Sequence, residues 1–235
     1  PKTTYAGHRG TRDVDLSMFG YNFPRGELPL GNIRHEEKDD NYFPIPSLKN
    51  LTLNGFYQSY QYFDDIKDDL IYKYFVPNEE IYGRISTLDI SPNAVGVSVR
   101  RGDYLMLQQN HCVLAEEYYN NALEQYCQDC DQMFVFSDDF DWCKKMFGKH
   151  VVYVDGNAGS QLFLMTKMPN LVLSNSTFAW WGAYLNTKGG NIVIPDPWYG
   201  PNYDGRGKGL YYPSWKVLKH ERKMQPWQPT QNMYN

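Results

Sequence analysis

The chain has no stretch approaching the ~20 consecutive apolar residues that a membrane-spanning helix requires, and no signal-peptide pattern. It has no surplus of positive charge: 23 Lys and Arg stand against 27 Asp and Glu, a net of −4. That excludes a nucleic acid or an acidic membrane held by bulk electrostatics, so any anion must be bound by a local site. Histidine is scarce, and His8, His35, His111, His150 and His220 are spread so that they suggest no ligand set or triad. Cysteine is scarce too. Cys127 and Cys130 have metal-ligand spacing, but no second CxxC and no suitably spaced His pair accompany them. With Cys112 and Cys143 they read as reduced thiols, and no metal is expected. There is no GxxxxGKS/T loop, so an ATPase-type phosphate cradle is missing, and no GxGxxG dinucleotide loop. There is no G-x-S-x-G elbow, which argues against an acyl hydrolase.

What the chain does have is aromatic rings, 20 Tyr and 6 Trp among 235 residues. A flat apolar body with a polar handle suits a sugar-stacking cleft, although composition alone favours a core. Residues 1 to about 50, rich in Gly, Pro, Asn and charge, read as loops. Tyr60–Tyr74 reads as a helix, with Ile66, Leu70 and Tyr74 at i, i+4 and i+8. Pro77 and Pro92 bracket a connection. From there the pattern is regular. Strands are expected at Ala94–Val99, Gln132–Ser137, Val151–Val154, Leu171–Ser174 and Asn191–Pro195. Helices alternate with them at Ala115–Tyr126, Phe140–Phe147, Ser160–Lys167, capped by Ser160, and Thr177–Leu185. Short apolar strands alternating with helices mean an α/β fold, a parallel sheet covered on both faces. The tail beyond about 220, with Pro226 and Pro229, reads as poorly packed.

Polar clusters fall at the carboxyl ends of these strands. Val99 is followed by Arg100-Arg101-Gly102-Asp103, Phe136 by Ser137-Asp138-Asp139, Leu173 by Ser174-Asn175-Ser176-Thr177, and Ile194 by Pro195-Asp196-Pro197-Trp198. In an open α/β sheet those ends border one crevice, where ligands bind. Arg forks match phosphate oxygens, and the helix opened by Asn175, Ser176 and Thr177 offers free N–H groups to an anion. Asp138 can accept from a purine or from ribose hydroxyls. Plainer readings stand beside these. Arg100 and Arg101 can pair internally with Asp138 and Asp139, and Asp139 or Asn175–Thr177 can serve only as helix caps. Trp180 and Trp181 read as core.

Taken together, VSVRRGDY, Phe134–Asp139 (FVFSDD), Asn175–Gly182 (NSTFAWWG) and Ile194–Trp198 (IPDPW) resemble the α-1,2-fucosyltransferases, glycosyltransferase family 11, in order and approximate spacing. Leu53–Phe63 and Tyr212–Trp215 are similar to further family segments, so the resemblance runs from about residue 50 to about 220. It implies a GT-B-like enzyme with a C-terminal Rossmann-like domain. Residues 90–222 would form that donor-binding domain, 1–89 a reduced or truncated acceptor-side region with a connecting helix, and 223–235 a tail. It further implies inverting, metal-independent transfer of L-fucose from GDP-fucose to the 2-hydroxyl of a terminal galactoside, without a cofactor. The partners would be a GDP-sugar donor and a galactose-containing glycan acceptor. By the same resemblance Arg100 holds the diphosphate with Arg101 in support, Asp138 with Ser137 contacts the guanosine, and Asn175, Ser176, Thr177 and Phe178 contact phosphate and base. Asp103 is the nearest motif candidate for the general base. Two departures stand out. Ser98 occupies the place where the family usually has His; it can donate a hydrogen bond but carries no charge. No Gly-rich GGLGNQ-type segment is present. Transfer from another GDP-sugar, and a catalytically silent nucleotide-sugar-binding remnant, remain alternatives. A cytoplasmic location, with membrane association through glycan-assembly partners, is the accompanying expectation.

Overall fold

The computed structural model describes residues 2–4, 11–13, 16–22, 33–37 and 41–226. His8 and the tail beyond Pro226 lie outside the described residues. Strands β1 (Lys2–Thr4) and β2 (Thr11–Asp13) form an antiparallel pair, and β3 (Ile33–Glu36) and β4 (Leu51–Asn54) a parallel one. Neither pair joins the main sheet.

The main sheet has six parallel strands. They are β5 (Ala94–Val99), β6 (Gln132–Ser137), β7 (Val152–Tyr153), β8 (Asn170–Val172), β9 (Ile192–Asp196) and β10 (Lys216–Lys219). Their spatial order is β7-β6-β5-β8-β9-β10, which is the 3-2-1-4-5-6 order of the doubly wound Rossmann-like fold. The α/β reading and its five strands therefore hold, and β10 is an addition at the edge. Its sequence, KVLK, buries only Leu218, too little signal to mark a strand.

β5 is buried at all six positions, as a central parallel strand covered on both faces must be. Its alternation sorts the two cores. Val95, Val97 and Val99 face one side, with α3 (Glu116–Tyr126) and α4 (Phe140–Phe147). Ala94 faces the other, with α5 (Ala158–Met165) and α6 (Thr177–Tyr184). α5 is capped by Asn157, whose Oδ1 accepts from Ser160 N at 2.8 Å, and not by Ser160. The aspect of Asn157 as a cap is legible only once the helix is seen to start at Ala158.

Upstream, the helix expected at Tyr60–Tyr74 is broken. Two 3-10 turns precede a single α turn, α1 (Lys67–Asp69), and a π turn ends it. Ile66 is exposed and only Leu70 is buried, so the apolar stripe does not form one face. The aromatic residues decide the path instead: Phe63 stacks on Trp181 with ring centroids 5.0 Å apart, in a backbone conformation (φ −146°) outside the helical range. The supposed connection before Pro92 contains α2 (Glu79–Ser86), capped by Asn78 Oδ1 on Ile81 N at 2.9 Å. Asn followed by two glutamates is a helix-start signal, and Ile81 and Ile85 one turn apart supply the buried face.

Beyond 220 the described residues are tied down rather than loose. Gln225 N donates to Gln108 Oε1 at 2.7 Å and Gln108 Nε2 returns a bond to Gln225 O at 2.9 Å. Arg222 pairs with Asp204 at 2.6 Å. Polar side chains supply this packing, which an apolar pattern does not reveal. Trp180 is buried and Trp181 partly so. All four cysteines are free, with Cys127 at the C-cap of α3. No helix among the described residues is long and apolar enough to cross a membrane.

Candidate functional site

A pocket of about 250 Å³ opens where β5 and β8 part company at their carboxyl ends. This is the topological switch point: the connections from β5 and β6 run one way, and α5 carries the chain across to β8 on the other side. The connections leave these neighbouring strands toward opposite faces, so a crevice forms without any side chain being removed. Ser98 and Arg100 reach it from β5, Ser137 and Asp138 from β6, Ser174, Ser176 and Phe178 from β8 and α6, and Gln161 from α5.

The two arginines separate. Arg100 lines the pocket. Arg101 is buried over the Trp142 ring of α4, 4.4 Å from its centroid, with Nε donating to Asp139 Oδ2 at 3.1 Å. This continues the alternation of β5, in which Ser98 and Arg100 share one side and Val99 and Arg101 the other. Asp139 also caps α4 through Trp142 N at 3.1 Å. Both plain readings of this acidic segment are thus present, the ion network and the helix cap.

Arg100 is held at two points. Its Nη2 donates to Asp103 Oδ1 at 2.6 Å and its Nη1 lies 2.8 Å from Asp138 Oδ2. The other oxygen of Asp138 accepts from Arg101 N at 2.9 Å. Gly102 makes this possible: a Cβ there would run into Asp138 Oδ2. The guanidinium also lies over the Tyr104 ring, 5.2 Å from its centroid, and Tyr104 stacks on His111 at 4.2 Å. Tyr104 donates to Asn175 O at 3.2 Å, and burial pushes its hydroxyl up to about 12. Burial lowers His111 below its ordinary value, with Asp103 opposing and Arg100 assisting.

The sequence candidates therefore fall into two groups. Ser98, Arg100, Ser137, Asp138, Ser176 and Phe178 line the pocket. Arg101, Asp103, Asn175 and Thr177 stand outside its lining. Asn175 is buried, and its Nδ2 donates to Cys112 O at 2.9 Å and Trp198 O at 2.8 Å, tying the loops after β5 and β9 to the end of β8. Thr177 is exposed on the first turn of α6. Sequence reasoning missed Ser174 and Gln161. Ser174 was visible as the first polar residue after β8, whereas Gln161 had no signal beyond lying in the first turns of a helix.

Chemically, the pocket joins one cation able to bind two oxygens of an anion with carboxylate acceptors, hydroxyl donors and the first turn of α6. It does so in a crevice at the carboxyl edge of the sheet, where α/β folds bind ligands. No group of His, Cys, Asp and Glu that could hold a metal occurs among the described residues.

Comparison with known proteins agrees in kind. Residues 32–219 match the model of glycosyl transferase family 11. The O-antigen biosynthesis glycosyltransferase WbnK of Escherichia coli is 32% identical over 80% of this chain and 68% of its own length. An α-1,2-colitosyltransferase of Escherichia coli is 31% identical over 62% of this chain and 55% of its own. The galactoside α-(1,2)-fucosyltransferase 1 of Mus musculus is 26% identical over 76% of this chain. The chain spans about half the length of these last two relatives, 55% of each. With residues 32–219 matched by the family model, the chain belongs to glycosyl transferase family 11.

Proposed function

We propose that the chain carries the donor side of an inverting glycosyltransferase that moves L-fucose from GDP-fucose to the 2-hydroxyl of a terminal galactoside. The observation that carries this is the placement of Arg100 at the switch-point pocket, between Asp103 and Asp138. Breaking the bond between the sugar C1 and the β-phosphate oxygen leaves GDP with added negative charge, and stabilising that charge is the main catalytic need. Arg100 and the amides at the start of α6 would supply it without a metal, and Arg101 would hold the loop from beneath.

Each η nitrogen of Arg100 pairs with one carboxylate, Asp103 or Asp138. Donor binding is then an exchange: the diphosphate takes the guanidinium and releases two carboxylates. Asp138 becomes available to the guanosine. Asp103, once released from Arg100, becomes available to take the proton of the attacking acceptor hydroxyl. The acceptor oxygen enters opposite the departing phosphate, which inverts the anomeric centre. The acceptor itself would be met by the region preceding residue 90.

The relative named a colitosyltransferase favours a second reading, in which the α-1,2 linkage is kept and another GDP-sugar is used. Titration calorimetry with GDP, GDP-fucose, GDP-mannose and a UDP-sugar, in chelator, tests the proposal. Binding confined to guanosine nucleotides is expected. Equal affinity for the UDP-sugar, or no guanosine binding, overturns it. Release of GDP from GDP-fucose on addition of lactose separates an enzyme from a silent binding remnant.

A further inference from the structure

Two hydroxyls meet across the switch point at the floor of the pocket. Ser98 Oγ, on β5, and Ser174 Oγ, two residues past β8, are 2.8 Å apart and both line the pocket. Neither side chain makes another hydrogen bond among the described residues. A hydroxyl carries one proton and two lone pairs. Two hydroxyls in contact use one of their two protons, and the other is left to point elsewhere.

The contact admits either serine as donor, and the two differ in exposure. Ser174 retains 0% of its surface and Ser98 5%. In the arrangement where Ser174 donates, its proton lies in the shared contact. Ser98 accepts it, and its own proton is left on the side that meets the pocket. Accepting a hydrogen bond polarises an O–H and makes it a stronger donor. A buried donor with no protein acceptor is costly unless a ligand or water receives it.

We infer that Ser174 is a positioning residue that aims the Ser98 hydroxyl, as a polarised and uncharged donor, at an anionic oxygen of the bound nucleotide's diphosphate. Ser98 leaves the sheet on the same side as Arg100, so both reach the same group from adjacent levels of one strand end. The neutrality has a use. The cluster around Arg100 and Arg101 already sets two guanidiniums against Asp103, Asp138 and Asp139. A neutral donor adds to phosphate binding without drawing in a further carboxylate.

The inference deepens the proposed donor site and rests on it. The test is a double-mutant cycle on GDP affinity by calorimetry, with a thermal melt of every variant as a folding control. Ser98→Ala is expected to weaken GDP about tenfold, the range of one hydrogen bond to a charged group. Ser174→Ala is expected to weaken it about threefold to tenfold. Because Ser174 acts through Ser98, adding Ser174→Ala to Ser98→Ala is expected to change the affinity less than twofold. Ser174→Cys, which is somewhat larger and donates only weakly, should fall between wild type and Ser174→Ala. Wild-type affinity in Ser174→Ala, or losses that multiply in the double variant, overturns the inference while GDP binding by the wild type stands. Failure of the wild type to bind GDP overturns the donor site and this inference together.

Discussion

The two ends of helix α6 are built on opposite rules. Its start faces the pocket with the Ser176 hydroxyl and Phe178, beside strand ends joined by hydrogen bonds and ion pairs. Its last turns are enclosed by rings: Trp180 stacks on Tyr184 at 4.9 Å, Phe63 on Trp181 at 5.0 Å, and Trp215 lies 5.5 Å from Trp180. Trp180 Nε1, donating to Leu210 O at 2.7 Å, the Tyr184 hydroxyl, donating to Asp64 at 2.9 Å, and Lys67 Nζ, 4.5 Å over the Tyr184 ring, interrupt the apolar character. Burying apolar surface at the ring end stabilises the fold by area. The pocket end contributes little net stability, because each buried charge must first be desolvated. One helix thus separates what holds the molecule together from what it holds.

That separation can be broken deliberately. Trp180→Ala should cost about 3–5 kcal/mol of stability, read by denaturant unfolding, since it removes a large buried side chain and orphans the Leu210 carbonyl. Donor affinity, measured where the variant is still folded, should hold within about twofold. Arg100→Ala is the mirror case: kcat/KM for the donor should fall about 100-fold or more, while the melting temperature moves little. A collapse in stability with Arg100→Ala would mean that its ion pairs serve the fold.

Gly102→Ala sits between the two ends. Its methyl group must displace the Asp138 carboxylate, which should cost about 1–3 kcal/mol by overpacking and weaken the donor as well. The smallest effect concerns His111. Its pKa is lowered in the folded protein below the ordinary 6.5, so its stabilising contribution is present above that value and is lost as pH falls through the lower folded value. The melting temperature should fall on acidification in that window, and His111→Gln should flatten the slope. An unchanged slope would place the acid sensitivity elsewhere.

The central sheet was legible because β5, β6 and β8 are apolar runs closed by polar clusters, which is what burial on two faces demands. The strand ends also located the crevice, since Arg100 and Asp138 follow their strands directly. Tyr60–Tyr74 was misread because its periodicity is real but its path follows Phe63 onto Trp181, a contact with a helix more than 100 residues later. The separate fates of Arg100 and Arg101 follow from the period of two, yet their partners needed the fold: Asp103 is three residues away, Asp138 and Asp139 just past the end of β6. The Ser98–Ser174 contact joins two segments with a separation of 76 residues, and no local pattern announces it.

Gly102 and Asp138 occupy one volume between them, although 36 positions of chain lie from one to the other. The arginine loop and the acidic segment are therefore a single part made from two pieces of sequence. A donor-side loop exchanged between relatives has to carry both pieces, or the incoming loop meets the wrong carboxylate. A side chain at 102 becomes tolerable only when 138 shortens, for example in Gly102→Ala combined with Asp138→Ser. Such a variant would restore the fit while giving up one of the two carboxylates that hold Arg100, which makes recovery of folding without recovery of donor binding its signature.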